Sequence, residues 1–155
     1  MSLFRKKTEP ASPLDGVALL LADLDGVVYR GKDALPYAVE SINRAQDRAR
    51  VAYITNNASR TAETVAAQLS GYGLTVAAEE VVTSPQAAVA LLAELVPAGS
   101  LIFVVGGEGL TAELEKAGFA VTRDADAQPA AVIQGFHPSI GWSDLAEASF
   151  ALQRP

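Results

Sequence analysis

The sequence predicts an α/β protein built on parallel strands, and three observations carry that prediction. Short apolar runs alternate with stretches of helical periodicity, the pattern of strand–helix–strand units. Turn and cap residues punctuate the alternation at Gly73, Ser84-Pro85 and Gly118. The first apolar run stops abruptly on two aspartates set two apart and a glycine, Asp23, Asp25 and Gly26, at the strand end where parallel sheets place their ligands.

Taken in order, Met1 to Ser12 carries basic residues without an apolar signal core, and 1–13 reads as a disordered tail. Val17 to Leu21 reads as a strand buried on both faces, a central strand of a parallel sheet. Pro36 suits the first turn of a helix, and Ala38, Ile42, Ala45 and Ala49 then recur at helical spacing. Val51 to Thr55 is a short strand ending on Thr55-Asn56-Asn57, and the next helix presents Val65, Leu69 and Tyr72 and closes at Gly73. The character shifts around Ala77 to Thr83, where a short apolar piece leads to Ser84 as N-cap and Pro85 at the first helical position. That helix carries Ala88, Leu91, Leu92 and Leu95. A strand at Leu101 to Val105, a Gly-rich turn, a helix with Leu110 and Leu114 closed by Gly118, and a strand near Ala131 to Gln134 complete a second α/β layer. Trp142 to Leu152 is a last helical pattern, and Trp142 at its start is expected to be packed.

Composition narrows the function. The chain has 155 residues, half of them hydrophobic, a net charge of -6 and no cysteine. Disulfides and thiolate metal sites are therefore excluded, and a reducing cytoplasm fits. The acidic balance argues against nucleic acid or an anionic membrane as partner. No apolar run approaches the roughly 18 residues of a membrane span. An anionic ligand must be captured by local groups, and oligomeric state stays open, a homo-oligomer included.

Strand alternation puts Asp23 and Asp25 on one side, where like charges repel unless a cation or a shared proton lies between them. A hard divalent ion with oxygen ligands would relieve that repulsion. Read alone, Asp-Leu-Asp-Gly also serves as a polar strand end entering a turn. Thr55-Asn56-Asn57 follows Asp25 by about 30 residues, at the end of a second strand, and offers neutral donors to the same cleft. Alone, it reads as a helix cap.

These residues resemble the motifs of the haloacid dehalogenase-like phosphohydrolases. Asp23-Leu24-Asp25-Gly26-Val27 matches their first motif, D-x-D-G-[VT]. The continuation Val28-Tyr29-Arg30-Gly31 with Pro36, together with TNNASR and GWSDLAEA, is similar to subfamily IIA, the NagD-like, phosphoglycolate and glycerol-3-phosphate phosphatase branch. The resemblance implies a partial Rossmann-like core at 14–77, with a small flap hairpin between Val27 and Leu35, and the start of an α/β cap domain at 78–155. It also implies a Mg2+-dependent phosphomonoester hydrolase of a small phosphorylated metabolite. Asp23 would be the nucleophile that becomes an aspartyl phosphate, and Asp25 the general acid and then base. Mg2+ would take a carboxylate oxygen of Asp23 and the carbonyl of Asp25, and Thr55, Asn56 and Asn57 would hold the phosphoryl oxygens. Arg60 is either a further site residue or a solvated residue at a helix start. His137, in Gln134-Gly135-Phe136-His137-Pro138, is the cap residue that would face substrate where many relatives carry Asp; read alone it is a loop histidine.

The family's lysine and its second acidic pair are not found. Lys116, Asp124 and Asp126 lack the expected surroundings. The chain therefore reads as the amino-terminal part of a phosphatase, poorly active by itself, with its first strand left at an exposed sheet edge. The alternative is a non-catalytic phosphate- or nucleotide-binding module. Gly107-Glu108-Gly109-Leu110-Thr111-Ala112 fits a dinucleotide turn, with Asp124 or Asp126 placed for a ribose.

Overall fold

The computed structural model describes residues 12–153. In chain order the elements are β1 (Leu19–Asp23), β2 (Tyr29–Arg30), β3 (Asp33–Ala34), α1 (Ala38–Gln46), β4 (Arg50–Thr55), α2 (Ala62–Gly71), β5 (Val81–Thr83), α3 (Ser84–Leu95), β6 (Leu101–Val105), α4 (Glu108–Lys116), β7 (Ala120–Thr122), β8 (Ala131–Gln134) and α5 (Trp142–Gln153). Two three-stranded parallel sheets result, ordered β1-β4-β5 and β7-β6-β8, with β2 and β3 as a separate antiparallel hairpin. The mixed α/β class with parallel sheets is as predicted. The expectation of a disordered tail falls, up to residue 11, outside the described residues; Ser12 and Pro13 belong to a turn closed by Asp15 N–H donating to the Ser12 carbonyl.

Alternation explains the first sheet. Ala22, Leu24, Val51, Tyr53 and Val81 face inward and pack with Ile42 and Ala45 of α1 and Val65 and Leu69 of α2. The opposite face is uncovered: Leu19 is 48% exposed and Leu21 54%, with Ile54 and Val82 also open. The strand lies at a sheet edge, as expected for a chain without the later motifs, but it is covered on one face and not on the two predicted, and it starts two residues later than expected. A continuous apolar run reports only that side chains avoid water; which face is covered depends on helices elsewhere in the chain.

The second sheet is covered on both faces. Ile102 and Val104 pack with Val89 and Leu92 of α3 and Leu110 and Leu114 of α4, while Phe103 and Val105 pack with Ala148 and Ala151 of α5. Leu91 and Leu95, expected to share the helix's apolar face, stand exposed instead. Trp142, expected to be packed, is 82% exposed.

Ends of elements follow local chemistry. The first helix begins after Pro36, at Ala38, because Tyr37 takes a left-handed φ of 65°. α2 stops where Gly73 (φ 95°) lets Leu74 N–H return to the Leu69 carbonyl. The cap of α3 is Thr83, one residue before the predicted Ser84: its hydroxyl accepts from Gln86 N–H while Thr83 N–H donates to the Gln86 side-chain oxygen. Thr83 also pairs with Thr55, so the first sheet runs six residues past Ala77, where the change of character is expected. The short strands β5 and β7 carry no usable sequence signal, since three residues hold too little periodicity.

Tyr53 lies in the first core, fully buried, and its hydroxyl has no hydrogen-bond partner among the described residues. Burial, and then the nearby Glu80 charge, push its ionisation above the ordinary phenol value. Tyr53→Phe is expected to stabilise the fold by about 1 kcal/mol, since the unpaired group's desolvation cost disappears. The raised value also means that stability is unaffected by this ionisation below the unfolded phenol's value near about pH 10 and falls as pH rises from there through Tyr53's own. Urea unfolding of parent and Tyr53→Phe at neutral and alkaline pH measures both effects; a lower midpoint for the variant at neutral pH would show that the hydroxyl is needed.

Candidate active site

Parallel pairing brings the carboxyl ends of β1 and β4 side by side, with Asp23 opposite Ile54. Past Asp23 the inward–outward alternation continues, so Ala22 and Leu24 are buried while Asp23 and Asp25 are both exposed on the side away from the core. Asp23 Oδ1 accepts from Leu24 N–H at 2.8 Å, which holds that carboxylate at the strand end. The chain then folds back on itself. Leu24's carbonyl accepts from Val28 N–H at 2.9 Å and from Tyr29 N–H at 3.2 Å, and Gly26 N–H donates to the Tyr29 carbonyl at 2.7 Å. Gly26 has φ 83°, a left-handed backbone that a side chain would strain. The turn hands the chain to the β2–β3 hairpin, which stands where the flap is expected.

At the end of β4 each polar group is already oriented. Thr55 Oγ1 accepts from Asn57 N–H at 3.1 Å. Asn57 Oδ1 accepts from both the backbone N–H and the hydroxyl of Ser59, at 2.9 and 2.8 Å. Among the described residues the Thr55 hydroxyl proton and the Asn57 Nδ2 donors meet no acceptor. The Asn56 carbonyl accepts from the Ser84 hydroxyl at 3.0 Å, so Ser84 steadies this loop from β5's end.

One cavity of about 460 Å³ gathers these groups: Asp25, Tyr29, Gly31, Thr55, Asn56, Asn57, Ala58, Arg60 and Phe136 line it. The sequence-predicted Asp25 and Thr55 to Asn57 thus share one wall, and Asp23 lies at the adjoining strand end. His137 does not line this cavity; it borders a neighbouring one with Gly107, Arg123 and Asp144, its Nδ1 within 2.7 Å of the Ser139 hydroxyl. Its neighbour Phe136 takes the wall position. Phe136 has no sequence signal, because only packing of the second sheet against the first decides which loop residue reaches the cavity. Arg60 has one, its place three residues beyond Asn57.

The Gly-rich turn has a different use from the dinucleotide turn it resembles. Gly109 N–H donates to the Ser59 carbonyl at 3.4 Å, and a Cβ at Gly109 would lie 2.5 Å from the Arg60 carbonyl oxygen. At Gly107 it would lie 3.3 Å from the Ser59 carbonyl, and at Gly135 it would lie 3.2 Å from Ala58 Cβ. At Gly109 that space is taken by the Arg60 backbone, at Gly107 by the Ser59 carbonyl and the His137 ring, and at Gly135 by the Ala58 and Leu110 side chains, so the second sheet is seated directly on the loop that follows Thr55-Asn56-Asn57.

The donor chemistry fits a hard divalent cation in part. Asp23 and Asp25 offer carboxylate oxygens of the kind Mg2+ takes, but among the described residues no group of three or more acidic, histidine or cysteine side chains could hold a metal. No helix among them is long and apolar enough to cross a membrane.

The fold and these strand-end groups define a phosphohydrolase-like α/β architecture, and comparison with known proteins gives it a family. Residues 20–120 match the family model described as haloacid dehalogenase-like hydrolase, and the chain belongs to that family. It is 44% identical over 134 residues to D-glycerol 3-phosphate phosphatase of Mycobacterium tuberculosis, covering 86% of this chain and 37% of that protein. It is 34% identical over 144 residues to chronophin of Rattus norvegicus, covering 88% of this chain and 47% of the relative. The crystal structure of the M. tuberculosis glycerol phosphate phosphatase in complex with magnesium superposes with a TM-score of 0.83 at 42% identity, over 90% of this chain and 42% of that one. The chain thus spans less than half the length of each of these relatives.

Proposed function

We propose that the chain carries the nucleophile and the phosphate-holding loop of a Mg2+-dependent phosphomonoesterase acting on a small phosphorylated metabolite of the glycerol-3-phosphate or phosphoglycolate type. The observation that carries this reading is the meeting of Asp25 with Thr55, Asn56 and Asn57 on one cavity wall, with Asp23 at the adjoining strand end. A cavity of this size suits a small ester, and the mycobacterial relative's name points to glycerol phosphate.

In this reading the free oxygen of Asp23 attacks phosphorus, the bond to the ester oxygen breaks, and an aspartyl phosphate forms. Asp25 gives its proton to the departing alkoxide, then takes one from the water that cleaves the acyl phosphate, which restores Asp23 and releases inorganic phosphate. The Thr55 hydroxyl and Asn57 Nδ2 donate to phosphoryl oxygens and are aimed before substrate arrives. Mg2+, held by a carboxylate oxygen of Asp23 and the Asp25 carbonyl, would screen the nucleophile from the phosphoryl charge when bound. The first sheet with α1 and α2 would be the catalytic core, the second sheet with α3, α4 and α5 the cap, and a cytoplasmic setting fits a chain without cysteine.

The test is release of inorganic phosphate from p-nitrophenyl phosphate and glycerol 3-phosphate with Mg2+, in the chain and in its fusion to the remaining length of the mycobacterial relative. EDTA is expected to abolish turnover and added Mg2+ to restore it. Turnover undiminished by EDTA would overturn the metal assignment, and none in either protein would overturn the function.

A further inference from the structure

Arg60 is the one cation among the described residues that line the cavity, and Asp25 the one anion. The ion pairs formed by described residues are Arg44 with Glu40 and Arg48 with Asp15, so among them Arg60 is without a carboxylate partner. Neutral groups hold it instead. Its Nη2 donates to the Tyr29 hydroxyl at 2.9 Å, its Nη1 donates to the Gln68 side-chain oxygen, and its Cζ lies 6.0 Å from the Tyr29 ring centroid. The chain of bonds continues outward. Gln68 Nε2 donates to the Tyr72 hydroxyl at 2.7 Å, and that hydroxyl donates to the Lys32 carbonyl at 3.0 Å, in the turn between β2 and β3. Tyr29 and Tyr72 also pack ring to ring at 5.9 Å.

A half-buried guanidinium oriented by neutral acceptors keeps its full charge and most of its five donors for something else. On the wall of a cavity, in a protein whose net charge of -6 repels anions at long range, that something is an oxyanion. We propose that Arg60 anchors the dianionic phosphate monoester in this pocket, and that Gln68 and Tyr72 are positioning residues that aim it and tie it to the hairpin. This rests on the phosphatase reading and adds to it the group that gives the pocket its preference for a dianion. Among the side chains that line the cavity, Thr55 and Asn57 are neutral and cannot supply that preference; beside Mg2+, Arg60 can, through paired N–H···O bonds to two phosphate oxygens.

The experiment is titration of the full chain with inorganic phosphate in the presence of Mg2+, followed calorimetrically and by the arginine Nε–H resonances. In the parent the Arg60 resonance is expected to shift at saturation. Arg60→Gln should weaken phosphate about 10- to 100-fold, the range for hydrogen bonds to a charged group. Arg60→Lys, which keeps the charge but cannot hold Tyr29 and Gln68 as a fork does, should recover only part of it. Gln68→Leu should weaken phosphate several-fold and broaden the Arg60 resonance, whereas a purely structural role would lower the urea midpoint and leave phosphate affinity unmoved. Arg60→Gln or, should that variant not fold, Arg60→Lys binding phosphate as tightly as the parent would overturn the proposal, as would a parent that binds no phosphate. The two readings separate with Asp23→Asn. Turnover lost in that variant with phosphate binding indifferent to Arg60 would retain the phosphatase and discard the anchor. Phosphate binding dependent on Arg60 with turnover indifferent to Asp23 would discard the phosphatase and leave an anion site.

Discussion

Asp23→Asn is expected to lower phosphate-ester turnover by at least about 10³-fold, the scale seen when a covalent nucleophile is removed, while the urea midpoint stays where it was. The structure explains why the two readouts should part. Asp23 is exposed at the end of an edge strand, so its charge is not a buried one whose loss would unbalance the core. Among the described residues its carboxylate takes one hydrogen bond, accepted by Oδ1 from Leu24 N–H, and an asparagine carbonyl can accept the same bond. What asparagine cannot do is attack phosphorus, because its amide nitrogen replaces the free carboxylate oxygen. Initial rates with p-nitrophenyl phosphate, measured on the chain and on its fusion to the rest of the mycobacterial relative, give the answer. Equal rates for parent and variant would end the nucleophile assignment.

The second large effect runs against helix propensity. Gly109 lies in the first turn of α4, where alanine would ordinarily favour the helix by about 1 kcal/mol. Gly109→Ala is nonetheless expected to destabilise the protein by about 1–3 kcal/mol, the usual cost of overpacking. The added Cβ would stand 2.5 Å from the Arg60 carbonyl oxygen, 2.7 Å from its carbonyl carbon and 2.9 Å from its nitrogen. All three are backbone atoms, which cannot swing aside as a side-chain tip could. Relief requires α4 to lift from the loop at 58–60, so the phosphate affinity set by Arg60 should fall along with stability. Urea unfolding and phosphate titration of the variant check this; a variant as stable as the parent, or more so, would show that the turn is not clamped to the loop. The same turn bears on the dinucleotide alternative, under which NAD would bind the parent and perturb its calorimetric or fluorescence signal.

Much of the site is legible in the sequence because its chemistry is local. Asp23, Asp25 and Gly26 are neighbours in the chain, and strand alternation alone sets both carboxylates on one side. Thr55 and Asn57 shape a turn whose own hydrogen bonds run between residues two apart, with the Ser84 hydroxyl on the Asn56 carbonyl as the one side-chain bond from elsewhere among the described residues. Such local bonds do not depend on what packs above them. Arg60 is ambiguous in the sequence because its orientation comes in part from far along the chain: from Tyr29, 31 residues earlier, as well as from Gln68, eight residues on in α2. The sequence points to His137 where the fold places Phe136, since adjacent loop residues carry no periodicity to say which one turns inward.

By itself the sequence determined the α/β class, the order of the helices and of the strands longer than three residues, and the strand-end carboxylates, since each follows from periodicity, caps and spacing within about a dozen residues. Only the tertiary structure decided that β1 is covered on one face, with Leu19 and Leu21 exposed, that β5 joins the first sheet, and that Gly107 and Gly109 seat the second sheet's turn on the 58–60 loop. The physical reason is common to all three: an apolar strand, a three-residue strand and a glycine each admit several neighbours, and the neighbour is chosen by contacts between segments far apart in the chain.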